Sequence, residues 1–205
     1  MNVLLLNGSP HKDGCTFTAL SEIAATLKKH GIDSTLVQLG TQPVPGCIAC
    51  QKCRTGHQGC IFDDAPYQRC LELLDSIDGL VVGSPVYYAG PNGSLCALLD
   101  RLFYSSSAKL AGKPAAAVVS CRRGGASASF DRLNKYFTIN SMPVVASQYW
   151  NSVHGNTPEE VRQDIEGLQT MRTLAANMAW MLKSIKANPE PRPQQEAWTP
   201  TNFIR

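Results

Sequence analysis

Cys47, Cys50, Cys53 and Cys60 fall within fourteen residues at the spacing Cys-x-x-Cys-x-x-Cys-x6-Cys. Three thiolates so spaced can converge from one tight loop, and the fourth can close a tetrahedral metal or iron-sulfur site. Three outcomes stay open for the set: a [4Fe-4S] centre handling single electrons, a structural zinc, or free thiols. Little between Gly46 and Gly59 can build a hydrophobic core, so a bound group or a partner would have to order the stretch. The chain has eight cysteines. The run from Met1 to Gly8 lacks the basic region and longer apolar segment of a signal peptide, which leads us to expect a cytoplasmic protein using its cysteines for metal or redox chemistry, not disulfides. Cys70 and Cys96 sit in helical patterns and read as small core residues. Cys121, beside Arg122, is a candidate for a lowered thiol pKa.

A second segment with chemical potential is Gly8-Ser9-Pro10-His11-Lys12-Asp13-Gly14-Cys15-Thr16. It links an apolar run ending at Asn7 to an amphipathic one starting near Thr16, so it reads as a strand-to-helix loop at the carboxyl edge of a sheet, where open α/β sheets bind ligands. Amides at the helix N-terminus, with the hydroxyls of Ser9, Thr16 and Thr18, can hold a phosphate dianion without any lysine. His11, Cys15 and Phe17 share the turn and complete this candidate site. A merely capped helix would also place Ser and Thr here. The loop lacks the Gly-Lys-Ser/Thr of a nucleoside-triphosphate loop and the Gly-x-Gly-x-x-Gly of a dinucleotide fold, so FMN suits it better than ATP or NAD. Further on, Pro85, Val86, Tyr87 and Tyr88 lie in a Gly/Pro-rich segment, Gly83 to Ser94, whose flat rings and amides suit a planar heterocycle. A third loop brings Ser120, Arg122, Gly124 and Gly125 to the same edge. Its pair Arg122-Arg123 would either attract the phosphates of NAD(P)H or stand solvated.

The elements that would position these loops are legible in outline. Apolar runs at Val3 to Leu6, Thr35 to Leu39, Gly79 to Val82, Ala115 to Val119 and Pro143 to Ala146 predict five strands buried on both faces. Helical patterns lie between them at Thr16 to His30, stopped by Gly31, and at Ala65 to Ser76, Gly93 to Ser105 and Ser127 to Phe137. A last helix, Pro158 to about Lys186, is introduced by Thr157 as N-cap. Such alternation predicts an α/β fold, a doubly wound five-stranded parallel sheet with helices on both faces. With 205 residues and 43% hydrophobic content, one domain over 1–205 is the economical reading, and 188–205, rich in Pro, Gln and Glu, forms an extended strap. A net charge of +3 implies neither nucleic acid nor an anionic membrane as partner.

These motifs resemble those of the NADPH-dependent FMN reductase and iron-sulfur flavoprotein families. Residues 8–16 are similar to the families' Gly-Ser-Pro-Arg-Lys-x-Gly-Asn-Thr loop. Ser84-Pro85-Val86-Tyr87-Tyr88 resembles their Ser-Pro-Val-Tyr-Phe, and Leu98-Leu99-Asp100-Arg101 their Leu-Ile-Asp-Arg; Asp63-Asp64 also matches. The likeness spans Met1 to about Ala146, with departures at His11, Cys15 and Cys96. It implies a flavodoxin-like fold, FMN held by Ser9, Thr16, Thr18 and Pro85 to Tyr88, and oligomers that cover the flavin. Iron-sulfur flavoproteins carry a matching cysteine run, which favours iron over zinc, since a zinc ribbon usually supplies two separated pairs.

The functional expectation is an FMN-dependent NAD(P)H oxidoreductase passing electrons to a small acceptor such as a quinone, nitro or azo compound. The flavin would supply the chemistry, so no catalytic side chain is required, in keeping with the absence of a Ser/His/Asp or paired-carboxylate set. Asp63-Asp64 reads as a helix cap. The alternative is an electron carrier between redox partner proteins through FMN and a [4Fe-4S] cluster. A receiver-like module is disfavoured because Ser84-Pro85 stands where its phospho-acceptor Asp would be. A homodimer or tetramer is expected, with Tyr149, Trp150, Trp198 and Phe203 covering a neighbour's site.

Overall fold

The computed structural model describes residues 1–197, 199–201 and 203. Five strands run parallel in the order β2-β1-β3-β5-β6, comprising β1 (Asn2–Asn7), β2 (Asp33–Gln38), β3 (Gly79–Tyr87), β5 (Ala115–Cys121) and β6 (Ser152–His154). A two-residue strand, β4 (Gly90–Pro91), turns back antiparallel on β3. The order is that of the flavodoxin-like doubly wound sheet, whose direction of winding switches between β1 and β3. The helices are α1 (Cys15–Lys29), α2 (Ala65–Leu73), α3 (Gly93–Leu110), α4 (Ala126–Ile139), α5 (Pro158–Gln163) and α6 (Ile165–Ala187).

Period-2 alternation along each strand makes two cores. Leu4 and Leu6 of β1, Leu80 and Val82 of β3, and Ala115, Ala117 and Val119 of β5 pack with Leu98, Leu102 and Phe137 from α3 and α4. Their neighbours Val3, Leu5, Val81, Ala116 and Val118 face the other way, onto Ile23 and Leu27 of α1 and Leu174 and Met178 of α6. Helices on both faces explain why the strands read as unbroken apolar runs.

Three expectations need correction. The strand predicted at Pro143 to Ala146 is a single bridge, Ala115 to Val144, and the named edge strand comes later at Ser152–His154. Between them the chain bulges out at Ser147 to Trp150. The buried Asn151 substitutes for the missing rung, its side-chain amide donating to the Ala117 carbonyl at 3.0 Å while its own carbonyl accepts from the Val119 amide at 3.0 Å. The last helix is two helices broken at Asp164, because that carboxylate caps α6, accepting from Gly167 N at 2.9 Å, and also accepts from His154 N at 2.6 Å. Finally, β3 runs on past Val82 to Tyr87, and with β4 it makes a hairpin where a plain loop was predicted. Thr157 does cap α5 and Gly31, at φ +73°, does follow the end of α1.

The strap from Asn188 to Gln195 shares a pocket with Gly112, Ser141 and Pro143 at the amino end of β5, where Gln195 donates to the Ser141 hydroxyl at 2.6 Å. Phe203 is exposed, and Trp198 lies outside the described residues.

Candidate flavin site and cysteine pocket

The carboxyl ends of β1, β3 and β5 present three loops side by side. The first runs from Gly8 to α1. Helix α1 has no side-chain cap, and the first of its amides to find an acceptor is Thr18 N, on Gly14 O at 3.0 Å. The amides of Cys15, Thr16 and Phe17 therefore find no acceptor among the described residues and stand at a positive helix end, an arrangement that suits a phosphate. Ser9, almost fully buried, accepts from His11 N at 3.1 Å and keeps its own proton to donate. The Thr18 hydroxyl is turned inward to Gly14 O at 3.1 Å. The Thr16 hydroxyl shares a 2.8 Å hydrogen bond with Ser120, both groups buried, and so ties this loop to the third one. His11 is exposed, while Phe17 is half-buried. Burial pushes the Cys15 thiol above its ordinary value, and the Glu160 and Glu159 carboxylates add to that shift. A neutral thiol at the first helical position leaves the helix end free to attract an anion.

Residues that sequence reasoning missed hold this loop in place. Buried Asn7 accepts from Ser9 N at 3.1 Å and donates to Gln38 at 2.7 Å, and Gln38 in turn donates to the Ser9 carbonyl. Asn92 donates to the Gly8 carbonyl at 2.7 Å, caps α3 by accepting from Ser94 N, and gives its own amide to the Ser84 hydroxyl. One Asn thus fixes the first loop, the end of β3 and the start of α3 relative to each other. Its signal was available: Asn92-Gly93-Ser94 before an apolar helical run is an N-cap pattern.

The second loop is the β3–β4 hairpin. Tyr88 and Ala89 form its tip, both at positive φ, +48° and +58°. Two-residue hairpins favour that geometry, but Asn-Gly is the usual sequence, and each non-glycine residue there costs about 1–2 kcal/mol. Tyr88 is fully exposed, Tyr87 is partly so, and Pro85 and Val86 are half-buried at its base. The third loop meets this hairpin at Gly125, whose φ is +88° and whose missing Cβ would stand 2.6 Å from Ala89 Cα. Gly124, Arg122 and Arg123 are exposed. Cys121 departs from its expectation: burial raises its thiol pKa, and the opposing influence is a backbone hydrogen bond from Arg123, not guanidinium charge. Cys70 is fully buried, its thiol pushed up to about 12, and burial raises the half-buried Cys96 as well.

The cysteine loop leaves the sheet from the carboxyl end of β2, and Cys47, Cys50, Cys53 and Cys60 all line one pocket. Burial raises the Cys53 thiol, and its neighbours Cys60, Cys50 and Cys47 raise it further. Beyond the loop itself and Phe62, the wall comes from Arg101, Tyr104 and Ser105 of α3. Tyr67, fully buried, accepts from Cys60 N at 2.7 Å and shares a 2.8 Å hydrogen bond with Ser105. Arg54 stacks over Tyr104 at 4.2 Å, and Tyr104 donates to Gln51 at 3.0 Å. Arg101, 1% exposed, closes the pocket's inner wall. Its Nη1 donates to the Phe62 carbonyl at 3.2 Å and stands 2.6 Å from an Asp64 oxygen, a charge contact outside hydrogen-bond alignment. Asp64 is therefore an ion partner of α3 and supplies no side-chain cap to α2. Burial opposes the Arg101 charge, but Asp64 and then Cys60 outweigh it, so the guanidinium's pKa lies above its ordinary value. Among the described residues, Arg101 Nε and Nη2 have no hydrogen-bond partner. Among the described residues no three His, Cys, Asp or Glu side chains stand at the spacing of ligands to one metal ion.

A parallel sheet of this order, with an uncapped helix end and a hairpin of exposed rings at its switch point, defines a flavodoxin-like flavin-binding protein. The chain belongs to the NADPH-dependent FMN reductase family, whose sequence pattern matches residues 1–157. It is 30% identical to an iron-sulfur flavoprotein of Methanocaldococcus jannaschii, over 91% of this chain and 100% of that one. It is 28% identical to the iron-sulfur flavoprotein of Methanosarcina thermophila, over 92% and 98% respectively. Among solved structures, a flavodoxin from the domain Archaea superimposes with a TM-score of 0.61 at 15% identity, over 89% of this chain and 99% of that one. The protein is thus an FMN-binding oxidoreductase of flavodoxin-like fold. Among the described residues, no helix is long and apolar enough to cross a membrane.

Proposed function

We propose that the protein takes electrons from NAD(P)H and passes them through FMN to a small acceptor of the quinone, nitro or azo class. The carrying observation is the uncapped α1 terminus beside the Ser9 hydroxyl, which offers a phosphate unpaired amides and a donor. Bound FMN would supply hydride and single-electron chemistry from its own ring. The chain's residues then have positional roles. Ser9 and the amides of Cys15 to Phe17 hold the phosphate, Pro85 to Tyr88 flank the ring, Ser120 and Gly125 set the third loop, and exposed Arg122 meets the phosphates of the nicotinamide cofactor. Steady oxidation of NADPH or NADH with one of these acceptors is the expected result. No turnover with either nucleotide would defeat this reading.

A second reading is favoured by the cysteine pocket: an electron carrier that relays electrons between partner proteins through FMN and an iron-sulfur cluster. The names of the archaeal relatives support it, as do four thiols on one pocket and, in its wall, a buried arginine with two unpartnered nitrogens. Cys47, Cys50, Cys53 and Cys60 would be the ligands. Iron and acid-labile sulfide counted per chain after anaerobic purification test it. Near four irons, lost in Cys50→Ser, supports a [4Fe-4S] centre, and one zinc per chain or no metal contradicts it.

A further inference from the structure

Arginine is a costly residue to bury, and a buried guanidinium with two idle nitrogens is costlier still, since each unpaired polar group forfeits its hydration with no hydrogen bond in return. Arg101 is such a case. The Nη1 group is occupied by the Phe62 carbonyl and Asp64, and Nε and Nη2 have no hydrogen-bond partner among the described residues. Tyr67 and Phe62 flank the guanidinium at 5.0 and 6.0 Å from their ring centroids. Arg101 stands in the wall of the pocket lined by the four cysteines, and Cys60 is near enough to favour its charge. Thiolates, and the sulfides of an iron-sulfur cluster, accept hydrogen bonds and carry negative charge, which is what the idle donors lack.

We propose that Arg101 is a positioning residue for the cysteine-bound cluster, donating from Nε and Nη2 to its sulfur atoms and setting its reduction potential. The inference rests on the iron-sulfur reading of the pocket. Hydrogen bonds to the sulfurs and the local net charge are two of the levers on cluster potential. A fixed guanidinium stabilises the more negative, reduced form, so it raises the potential and makes the cluster an easier acceptor for single electrons. Asp64 partly offsets this charge while anchoring Nη1, which leaves Nε and Nη2 to donate elsewhere. The arrangement also explains an Arg on the otherwise apolar face of α3, between Leu98 and Leu102.

The test uses the anaerobically purified, cluster-loaded protein. With arginine side chains labelled with nitrogen-15, pulsed electron paramagnetic resonance of the reduced cluster should show nitrogen hyperfine coupling. That coupling should persist in Arg54→Lys, which removes the guanidinium stacked on Tyr104 at the pocket rim. Absence of coupling in the loaded parent protein, or its loss in Arg54→Lys, overturns the proposal. In Arg101→Lys and Arg101→Gln proteins that keep FMN and iron, the midpoint potential should fall by the equivalent of about tenfold, about 59 mV for a one-electron couple. An unchanged potential overturns the proposal. If both variants fail to fold, the labelled parent protein decides alone. If the parent protein carries no iron under these conditions, the cluster reading itself fails and this inference falls with it, an outcome distinct from a loaded cluster that does not sense Arg101.

Discussion

Thr16 is the residue at which two uses of a hydroxyl compete. Resemblance assigns it to the flavin phosphate, whereas in the fold its Oγ1 is 2.8 Å from Ser120 Oγ, with both residues under 5% exposed. Thr16→Val keeps the side-chain shape and removes the hydroxyl, leaving Ser120 without its partner in a buried site. An orphaned buried hydroxyl costs about 1–3 kcal/mol, while replacing both partners by apolar groups is nearly neutral. Urea denaturation of the flavin-free protein should therefore show Thr16→Val less stable by about 1–3 kcal/mol, with most of that loss recovered in Thr16→Val/Ser120→Ala. FMN affinity should follow the same pattern, because the phosphate is held by amides that an orphaned buried Ser120 hydroxyl would disturb and an apolar pair would leave in place. If the hydroxyl were instead spent on the phosphate, the single variant would keep its apo stability. The double variant would then bind FMN about 5- to 30-fold more weakly, the equivalent of 1–2 kcal/mol. That outcome refutes the locking role.

Gly125→Ala places a methyl 2.6 Å from Ala89 Cα and 2.9 Å from Val86 Cγ1 at a φ of +88°. Backbone strain and overpacking together should cost about 2–4 kcal/mol and displace the hairpin, read as a lower unfolding midpoint with weakened FMN binding. Wild-type stability in this variant would mean the third loop does not rest on the hairpin. Cysteine reactivity should divide by environment. With the Cys70 thiol pushed up to about 12, its thiolate at pH 8 is about a thousandfold scarcer than that of an ordinary thiol. Iodoacetamide should modify exposed Cys47 and Cys50 of the metal-free protein first and reach Cys70 only on unfolding. By linkage, the stability from keeping Cys70 neutral holds below the unfolded pKa of about 9 and drains away between pH 9 and 12, as only the unfolded chain ionises there. Equal alkylation rates at Cys70 and Cys47 would contradict the burial. Exposed and in tilted contact, Tyr149 and Trp150, with ring centroids 5.0 Å apart, suit a contact between copies of the chain. Light scattering should report a dimer or tetramer, dissociating in a Tyr149→Glu/Trp150→Glu protein, and a monomeric parent at micromolar concentration would refute this.

What the sequence made legible was whatever short-range pattern encodes. Val3 to Leu6 reads as a strand buried on both faces because all four side chains are apolar, and the Gly8 to Thr16 segment marks the switch from strand to helix without long-range information. The edge of the sheet was misplaced because Pro143 to Ala146 is apolar enough for a strand. No local signal reveals that Asn151, eight residues beyond Pro143, fills the rung opposite Ala117. The break at Asp164 had a signal: Asp directly before apolar Ile165, with Glu166 in the turn that follows, is an N-cap pattern inside an otherwise helical run. Asn7 and Gln38 meet across adjacent strands, and only the register of β1 on β2 brings them together. Arg101 was visible as a motif residue, but its burial follows from helix phase. Three residues after Leu98 and one before Leu102, it must face the core, and a charge there requires a partner.

The central claim is that the α1 terminus holds the phosphate of FMN. Titrating flavin-free protein with FMN and with riboflavin, which differ only by that phosphate, isolates it. The unpaired amides of Cys15 to Phe17 and the Ser9 hydroxyl offer several charge-assisted hydrogen bonds, each worth about 1.5–3 kcal/mol, so FMN should bind at least about tenfold more tightly than riboflavin. Equal affinity for the two would contradict the account.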